Sequence, residues 1–527
     1  MEKHIISGNY FPNLLSHYLA GHASLQNLYA YASTLAGLGD AAQNRFFSDS
    51  SRQTLVQVLE NQSKTLGKIP AQAKANISAL SSSNTFTVTT GHQICLLTGP
   101  LYFVYKIASV IKLCRQLSAA YPQYNFVPVY WAATEDHDFE EIRSVFLNGK
   151  THTWQTQASG ATGEISTQDI QQFFAELEAE HGEKLSFSSI YQTLKNAWIS
   201  QPNLSAAIRR AVYDLFGAQG IVCIDANEAA FKKDFSGLLH KELFDQFSYP
   251  LLNQTAELLR NLGYKTQIEP RPINLFYLRP GLRERIVFEN GSWSVLNTDI
   301  RFNKTELESE LSEHPERFSP NVALRPLYQE FILPNIAYLG GPAELSYWLQ
   351  FKEMFSAAGV TFPVLIPRDG FAFLPQQDFK RFLSLGFSPE QLLAAAEQNL
   401  KVYVQSNIGA ALHTEAEIQA INQVFADLKN RYAAQLGQAL PAFAASEKKI
   451  SNELHKLHKK ALRMAARKET ETASFLQSVH SRLFPGGTLS ERKESIIEYA
   501  GLLGSSPAEM LIELADPLQP GLKLITY

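Results

Sequence analysis

The stretch Thr85-Phe86-Thr87-Val88-Thr89-Thr90-Gly91-His92-Gln93-Ile94-Cys95-Leu96-Leu97-Thr98-Gly99-Pro100 decides how the rest of the chain is read. Thr85 to Thr90 is short, rich in β-branched residues and closed by glycine, which is the pattern of a strand buried in a sheet. Beyond it, Leu101, Val104, Ile107, Ala108, Ile111 and Leu117 recur at helical spacing. A helix is expected there, with Pro100 in its first turn and Thr98 or Gly99 as its cap. The unit is strand, glycine-bearing polar loop, helix. Such a loop presents unpaired N–H groups where the helix dipole favours an anion, so a phosphate or carboxylate suits it. The spacing matches neither the Rossmann glycine fingerprint nor a P-loop, and an ordinary strand-to-helix turn with a satisfied histidine is the competing interpretation.

A second loop repeats the arrangement. Phe126 to Trp131 is another buried-strand candidate, and it runs into Ala132-Ala133-Thr134-Glu135-Asp136-His137-Asp138. Three carboxylates and an imidazole in four consecutive positions can bind a metal, hold an amine or do acid–base work. They can equally cap a following helix through Asp136 or Asp138. If the two strands are neighbours in a parallel sheet, both loops open on one edge, where open α/β sheets bind ligands.

Composition sets the bounds. At 527 residues the chain exceeds what one core organises, so several domains or large insertions are expected. A hydrophobic content of 45% and a charged content of 19% are those of a globular protein. A formal charge of −4 and a pI near 6.4 argue against general nucleic-acid binding. Cys95, Cys114 and Cys223 provide neither a disulfide framework nor structural zinc spacing, so no structural metal is expected and a reducing compartment fits. Cys95 reads as a small buried residue rather than a nucleophile. With no basic start leading to an apolar core and no long apolar run, a cytoplasmic protein without membrane association is expected.

The remaining elements follow the hydrophobic periods. Residues 10–80 read as helices. Ile142 to Leu147 and Thr151 to Gln155 read as short strands, Ala158 to about Asn203 as a polar helical insertion, and Gly220 to Asp225 as a strand returning to the sheet. Leu251 to Leu262 reads as a helix, and Phe276–Leu278, Arg285–Phe288 and Trp293 to Val295 as an antiparallel patch that could cover the sheet edge. Asn321, Arg325 and Gln329 share a helix face, where a guanidinium can grip a carboxylate. Ile336 to Leu339 enters Gly340-Gly341-Pro342-Ala343-Glu344, a second strand, glycine loop and helix, with Glu344 and Trp348 on one face and Gly359 at the helix end. Val364 to Pro367 is the last strand of the sheet, with Arg368 at its end.

From Phe373 on the chain reads as helical, with capping-box starts at Ser388 and Thr414. Ile421, Phe425, Leu428 and Tyr432 form one heptad seam, and Ile450, Leu454, Leu457, Ala461 and Met464 another. Gly437 and Pro441 interrupt them, which predicts an antiparallel coiled coil with a basic, solvated second half. Leu522 to Ile525 reads as a short strand.

The blocks GHQICLLTGPLY, PVYWAATEDHDFEEI, HPERFSPNVALRPLYQEFILPNIAYLGGPAELSYW and FPVLIPR, in that order over Gly91 to Arg368, resemble the bacillithiol biosynthesis cysteine-adding enzyme family. The resemblance extends through the helical C-terminal part. It implies an α/β fold with a Rossmann-like, nucleotidyltransferase-type core, two connecting insertions and a C-terminal antiparallel α-helical coiled coil that dimerises. The corresponding layout places the core at 1–155, 213–250 and 319–385. The insertions then fall at 156–212 and 251–318, the coiled coil at 386–500, and a tail packing on the body at 501–527.

The implied reaction joins the carboxyl group of L-cysteine to the amine of glucosaminyl malate. A carboxylate needs activation before it condenses with an amine, so ATP with Mg2+ is the candidate cofactor pair. Related nucleotidyltransferases use two histidines of an HxGH motif, whereas this chain has only His92 in Gly91-His92-Gln93. The expected roles are charge stabilisation by His92 and the loop amides, handling of the amine by Asp136 and His137, and capture of the malate carboxylates by Asn321 and Arg325. Gly91, Gln93, Thr98, Gly99, Glu135, Gln329, Gly340, Gly341, Glu344, Tyr347, Trp348 and Arg368 complete the implied substrate site. Another ATP-dependent amide-forming or nucleotidyl-transferring enzyme, or a non-catalytic coiled-coil binding protein, are the rival readings.

Overall fold

The computed structural model describes residues 1–6, 10–407, 415–433 and 440–527. The chain forms two units, a larger one of Ser7–Phe371 with Glu491–Lys523, and a smaller one of Met1–Ile6, Ala372–Ser490 and Leu524–Tyr527.

The larger unit is built on a five-stranded parallel sheet. Its strands are β1 (Thr85–His92), β2 (Asn125–Ala132), β3 (Val222–Asp225), β4 (Asn335–Gly340) and β5 (Val364–Pro367), in the order β5-β4-β1-β2-β3. The β1–β2 register runs from Thr85 opposite Asn125 to His92 opposite Ala132, so both polar loops leave the same edge. The chain moves outward from β1 through β2 to β3, then returns to place β4 on the other side of β1. That reversal is a topological switch point, where the loops diverge and leave a crevice.

Burial on both faces explains the apolar strands. Phe86, Val88, Phe126, Leu339, Val364 and Ile366 face one core with α1 (Tyr102–Ala120), while Val127, Val129, Trp131, Tyr338 and Leu365 face the other. Helix α1 begins later than the sequence suggests. Leu96–Thr98 forms a 3-10 turn in which Leu97 and Thr98 take φ of 51° and 68°, so Leu101, not Thr98 or Gly99, stands at the N-cap.

Two excursions leave the sheet. After β2, a two-stranded hairpin (Ser144–Leu147 with Lys150–Thr153) precedes helices Ile170–His181, Ser189–Ser200 and Leu204–Phe216. Ile142, read as the start of a strand, instead ends a short helix, Phe139–Ile142, capped by Asp138. Before β4, a five-stranded antiparallel sheet takes the order Arg301–Phe302, Ser292–Val295, Leu282–Glu289, Leu275–Arg279, Phe318–Pro320. Helix α2 (Arg325–Ile332) leads into β4, and α3 (Pro342–Trp348) follows it. The helix expected to run on to Gly359 is broken after Trp348 and resumes as Lys352–Ala358, with Gly359 as its left-handed cap.

Strands Glu2–Ile6, Leu522–Thr526 and Gly370–Leu374 pair in that order. Helices α4 (Glu415–Ala433) and α5 (Leu440–Lys468) run antiparallel, as Lys429 pairing with Glu447 and Tyr432 stacking on Phe443 at 5.8 Å require. The seam differs from the heptad reading. Phe425 is buried, but Ile450, Leu457 and Met464 are 41%, 60% and 56% exposed. The Thr414 cap and the Gly437 break lie outside the described residues.

Candidate active site at the switch point

A cavity of about 760 Å³ opens at the carboxyl edge of the parallel sheet. The β1 end contributes Gly91, His92 and Gln93, and the β2 end contributes Trp131 and the run Ala132 to His137. Helix α1 contributes Tyr102 and Lys106, and α2 contributes Arg325. From β4 and α3 come Tyr338, Gly341, Glu344 and Tyr347, and Arg368 stands at the end of β5. The antiparallel excursion adds Arg271, Phe276, Arg283 and Arg285, and the returning segment adds Arg492. Seven cationic side chains face three carboxylates, Glu135, Asp136 and Glu344, so the cavity suits an anionic ligand.

His92 has one defined tautomer. Its Nδ1 lies 3.0 Å from the Gln93 carbonyl oxygen, which can only accept, so Nδ1 carries the hydrogen. Burial, reinforced by the Lys106 ammonium, pushes its pKa down to about 3 and keeps the ring neutral. Nε2 is therefore a lone pair, without a hydrogen-bond partner among the described residues. His137 has the opposite polarity. The Arg283 guanidinium donates to its Nδ1 at 2.6 Å, so the hydrogen sits on Nε2. Arg283 itself lies over the Phe276 ring at 3.9 Å.

Asp136 organises the loop around these two rings. One carboxylate oxygen accepts from the His137 backbone at 2.8 Å and the other from Gln93 Nε2 at 2.8 Å. Glu135 is occupied by Lys232, a fully buried ammonium that also donates to the Phe318 carbonyl at 2.9 Å. Lys106 closes the opposite wall, 2.6 Å from Glu344 and 2.9 Å from the Gly91 carbonyl. Burial alone would raise the Glu344 carboxyl, but Lys106 and the Gly341 N–H hold it below the ordinary value.

Arg325 lies over the rings of Trp131 and Tyr338, hydrogen-bonds Tyr347 and donates to Gln329 at 3.0 Å. Gln329 is fully buried behind the cavity and donates in turn to Glu330 at 2.7 Å, so it aims Arg325 rather than touching a ligand. Asn321 reaches the wall, but its Oδ1 accepts from the N–H groups of Ala323 and Leu324 at the start of α2. Its Nδ2 donates to Asn274 at 2.9 Å, so every polar atom of the side chain is engaged.

Arg368 also lines the cavity, yet its guanidinium is held bidentately by Glu491 at 2.8 and 2.9 Å, both side chains being buried. Thr98, Gly99, Gly340 and Trp348 do not line the cavity. Thr98 and Gly99 are folded into the tight turn against Cys95, Gly340 is packed under Leu345 and Tyr338, and Trp348 stacks behind Tyr338 at 4.2 Å. Burial pushes the Cys95 thiol up to about 12, which leaves no thiolate at neutral pH.

Sequence reasoning missed Tyr102, Lys106, Trp131, Arg271, Phe276, Arg283, Arg285, Tyr338 and Arg492 as lining residues. Lys106 had a legible signal, since it is the one charge in the buried run Phe103–Ile111 of its helix. Arg271 and Arg492 had none.

The comparisons cover the same ground. Residues 1–369 match the family described as Bacillithiol biosynthesis BshC, N-terminal Rossmann-like domain, and residues 371–527 match the companion C-terminal coiled-coil domain. A protein of Cytophaga hutchinsonii named "Putative cysteine ligase BshC" is 36% identical over 518 residues, covering 98% of this chain and 97% of its own. Proteins of the same name from Flavobacterium johnsoniae and Flavobacterium psychrophilum are 35% and 36% identical. They cover 99% and 97% of this chain, and 98% and 96% of their own.

Proposed function

The chain belongs to the bacillithiol biosynthesis BshC family, and from that premise we propose that it is a cytoplasmic ligase joining the carboxyl group of L-cysteine to the amine of glucosaminyl malate. The observation that carries this reading is the pairing of two oppositely polarised histidines with an arginine-rich wall at the switch point. A malate group brings two carboxylates, which suit Arg325 together with Arg271 and Arg285. An amine nucleophile must point its lone pair at the carboxyl carbon, and the neutral Nε2 of His92 can orient it by accepting a hydrogen bond from its N–H, a pKa of about 3 making the ring a positioning acceptor and not a base. The carbonyl oxygen gains negative charge as the amine adds, and the Nε2–H of His137 can donate to it.

The roles expected of the two histidines are thus exchanged. His92 has no hydrogen to offer into the cavity, and His137 does. Asp136 and Gln93 hold the His137 loop against β1, and Arg283 fixes its ring. Asn321 shapes the start of α2 instead of gripping substrate.

ATP would supply the activated carboxyl. In charge, the arginines and Lys106 fit its phosphates, although Gly91-His92-Gln93 offers one histidine in place of the HxGH pair. The local carboxylates fit Mg2+ less well, since Glu135, Asp136 and Glu344 are each engaged by protein donors. Dimerisation through the coiled coil accounts for the apolar residues that α5 leaves exposed at Ile450, Leu457 and Met464, one heptad apart.

The test is incubation of the purified protein with cysteine and glucosaminyl malate, with and without Mg-ATP, with products read by mass spectrometry. Formation of the cysteinyl amide with nucleotide consumption is expected. Absence of amide under every nucleotide condition would overturn the assignment.

A further inference from the structure

Away from the cavity, the first excursion gathers a second set of chemically competent side chains. Among the described residues, one group of three His, Cys, Asp or Glu brings its ligand atoms within 4.8 Å of one another, namely His152, Glu180 and His181. His152 lies on the strand Lys150–Thr153, while Glu180 and His181 end the helix Ile170–His181. The helix stops there at Gly182, which takes φ of 54°, and the side chains of its last two residues reach the hairpin at Lys150 and His152.

The two imidazoles meet Nε2 to Nε2 at 3.0 Å, with ring planes at 77°. At most one hydrogen fits between two such nitrogens. Two Zn–N bonds of tetrahedral geometry place their nitrogens about 3.3 Å apart, so a shift of a few tenths of an ångström would admit a metal in place of that hydrogen. The outer nitrogen of His181 lies 3.0 Å from the Asn148 amide nitrogen, and turning that amide over presents its oxygen as the acceptor for the Nδ1–H of a ligating His181, while His152 hydrogen-bonds the Leu147 backbone. Partners of this kind orient ligating histidines in metal sites. Glu180 Oε2 lies 3.8 Å from His152 Nδ1, so the carboxylate must turn toward the Nε2 pair, and its other oxygen pairs with Lys150, whose side chain is largely exposed. Burial, with His181 adjacent, lowers the His152 pKa and favours the neutral imidazole that binds metals.

We propose that His152, Glu180 and His181 form a binding site for a borderline divalent transition-metal cation of the Zn2+ type, with a remaining position for water. Two imidazole nitrogens and one carboxylate are a donor set for such an ion rather than for Mg2+ or Ca2+, which take oxygen ligands. The bound ion clamps the hairpin to the helix end. Because the hairpin follows directly from the Phe139–Ile142 turn after the Glu135 to Asp138 loop, the clamp stiffens the segment that carries His137.

The experiment uses the full-length chain stripped with EDTA and titrated with ZnCl2 by calorimetry, with thermal unfolding followed in parallel. One saturable equivalent and a rise in unfolding temperature are expected. The three cysteines are buried and do not compete. His152→Gln and His181→Gln should each weaken binding by more than about 100-fold and abolish the thermal shift, and Glu180→Gln should weaken it by about tenfold. Co2+ in place of Zn2+ should give visible absorption bands of low coordination number that disappear in His152→Gln. No saturable binding up to about 1 mM Zn2+, which is outside the range of a formed three-ligand site, would overturn the proposal. Unchanged affinity in Glu180→Gln, the partly exposed position least able to disturb folding, would also overturn it, as would unchanged affinity in either histidine variant.

Discussion

Lys106 and Glu344 form an ion pair of 2.6 Å that bridges α1 and α3 across the switch point, with the Lys106 side chain 5% exposed. Removing one member strands the other charge in a largely dry site, which costs about 3 kcal/mol. Lys106→Met and Glu344→Gln should each lower the urea midpoint, and the double variant should recover part of the loss. Equal additivity of the two effects in denaturation curves would show that the pair is not coupled.

Stability near neutral pH should hide two opposing titrations. His92, depressed from 6.5 to about 3 by burial and Lys106, is neutral in the folded state where the unfolded chain binds a proton. Its contribution is therefore lost as pH falls from 6.5 toward 3. Glu330, raised from 4.5 to about 7 by burial, holds a proton in the folded state that the unfolded chain releases. Its contribution is lost as pH rises from 4.5 through 7. Between pH 4.5 and 6.5 the two slopes cancel. Glu330→Gln, which mimics the protonated acid, should reveal stability rising with pH by at most about 1.4 kcal/mol per unit. His92→Gln should reveal the reverse slope, and unfolding midpoints at pH 5 and 6.5 check both.

Arg325→Ala should raise the KM for glucosaminyl malate by about tenfold or more, with kcat less affected, because a guanidinium to carboxylate bond is worth about 1.5–3 kcal/mol. Arg325→Lys should not restore it, since an ammonium cannot grip both oxygens or stack on Trp131 and Tyr338. Steady-state kinetics against the malate substrate decide the point.

Gly91→Ala is a space test. A methyl group there would stand 3.4 Å from the Tyr338 hydroxyl and 3.5 Å from Arg325, ordinary contacts that leave the fold intact. It would nonetheless occupy the cavity between them. Normal thermal unfolding with reduced substrate affinity is the expected result.

Arg283→Ala should lower kcat by about tenfold to a hundredfold with little change in stability. The His137 ring loses the donor that fixes its tautomer, and a hydrogen bond to a developing oxyanion contributes on that scale or above. Unchanged kcat in single-turnover experiments would remove His137 from stabilisation of the carbonyl oxygen.

The parallel sheet was legible because Thr85 to Thr90, Phe126 to Trp131 and Val364 to Pro367 are apolar or β-branched runs too short for helices, and burial on both faces imposes that composition. The loops of His92 and of Asp136–His137 were legible because polar residues at strand ends have few other reasons to be there. Which atoms are free was not legible. Asn321 and Arg368 have the right chemistry for substrate, and the structure engages one with Asn274, 47 positions away, besides the local turn before α2, and the other with Glu491, 123 positions away. The same distance problem hid Arg271, Arg285 and Arg492, which reach the cavity from segments with no motif. On α5 the heptad period was right but its inward phase was not, because Ile450, Leu457 and Met464 satisfy the spacing while facing outward.

The ion pair of Arg368 with Glu491 has a consequence for how the protein is made. Synthesis delivers the arginine at the end of β5, but its carboxylate lies beyond the 372–490 portion of the chain, so a nascent or truncated Rossmann unit carries an uncompensated cation in its interior. Expression ending near residue 371 should give an aggregation-prone, partly folded product, whereas a circularly permuted or linker-bridged version that supplies Glu491–Lys523 directly should fold during translation rather than wait for the coiled coil to emerge.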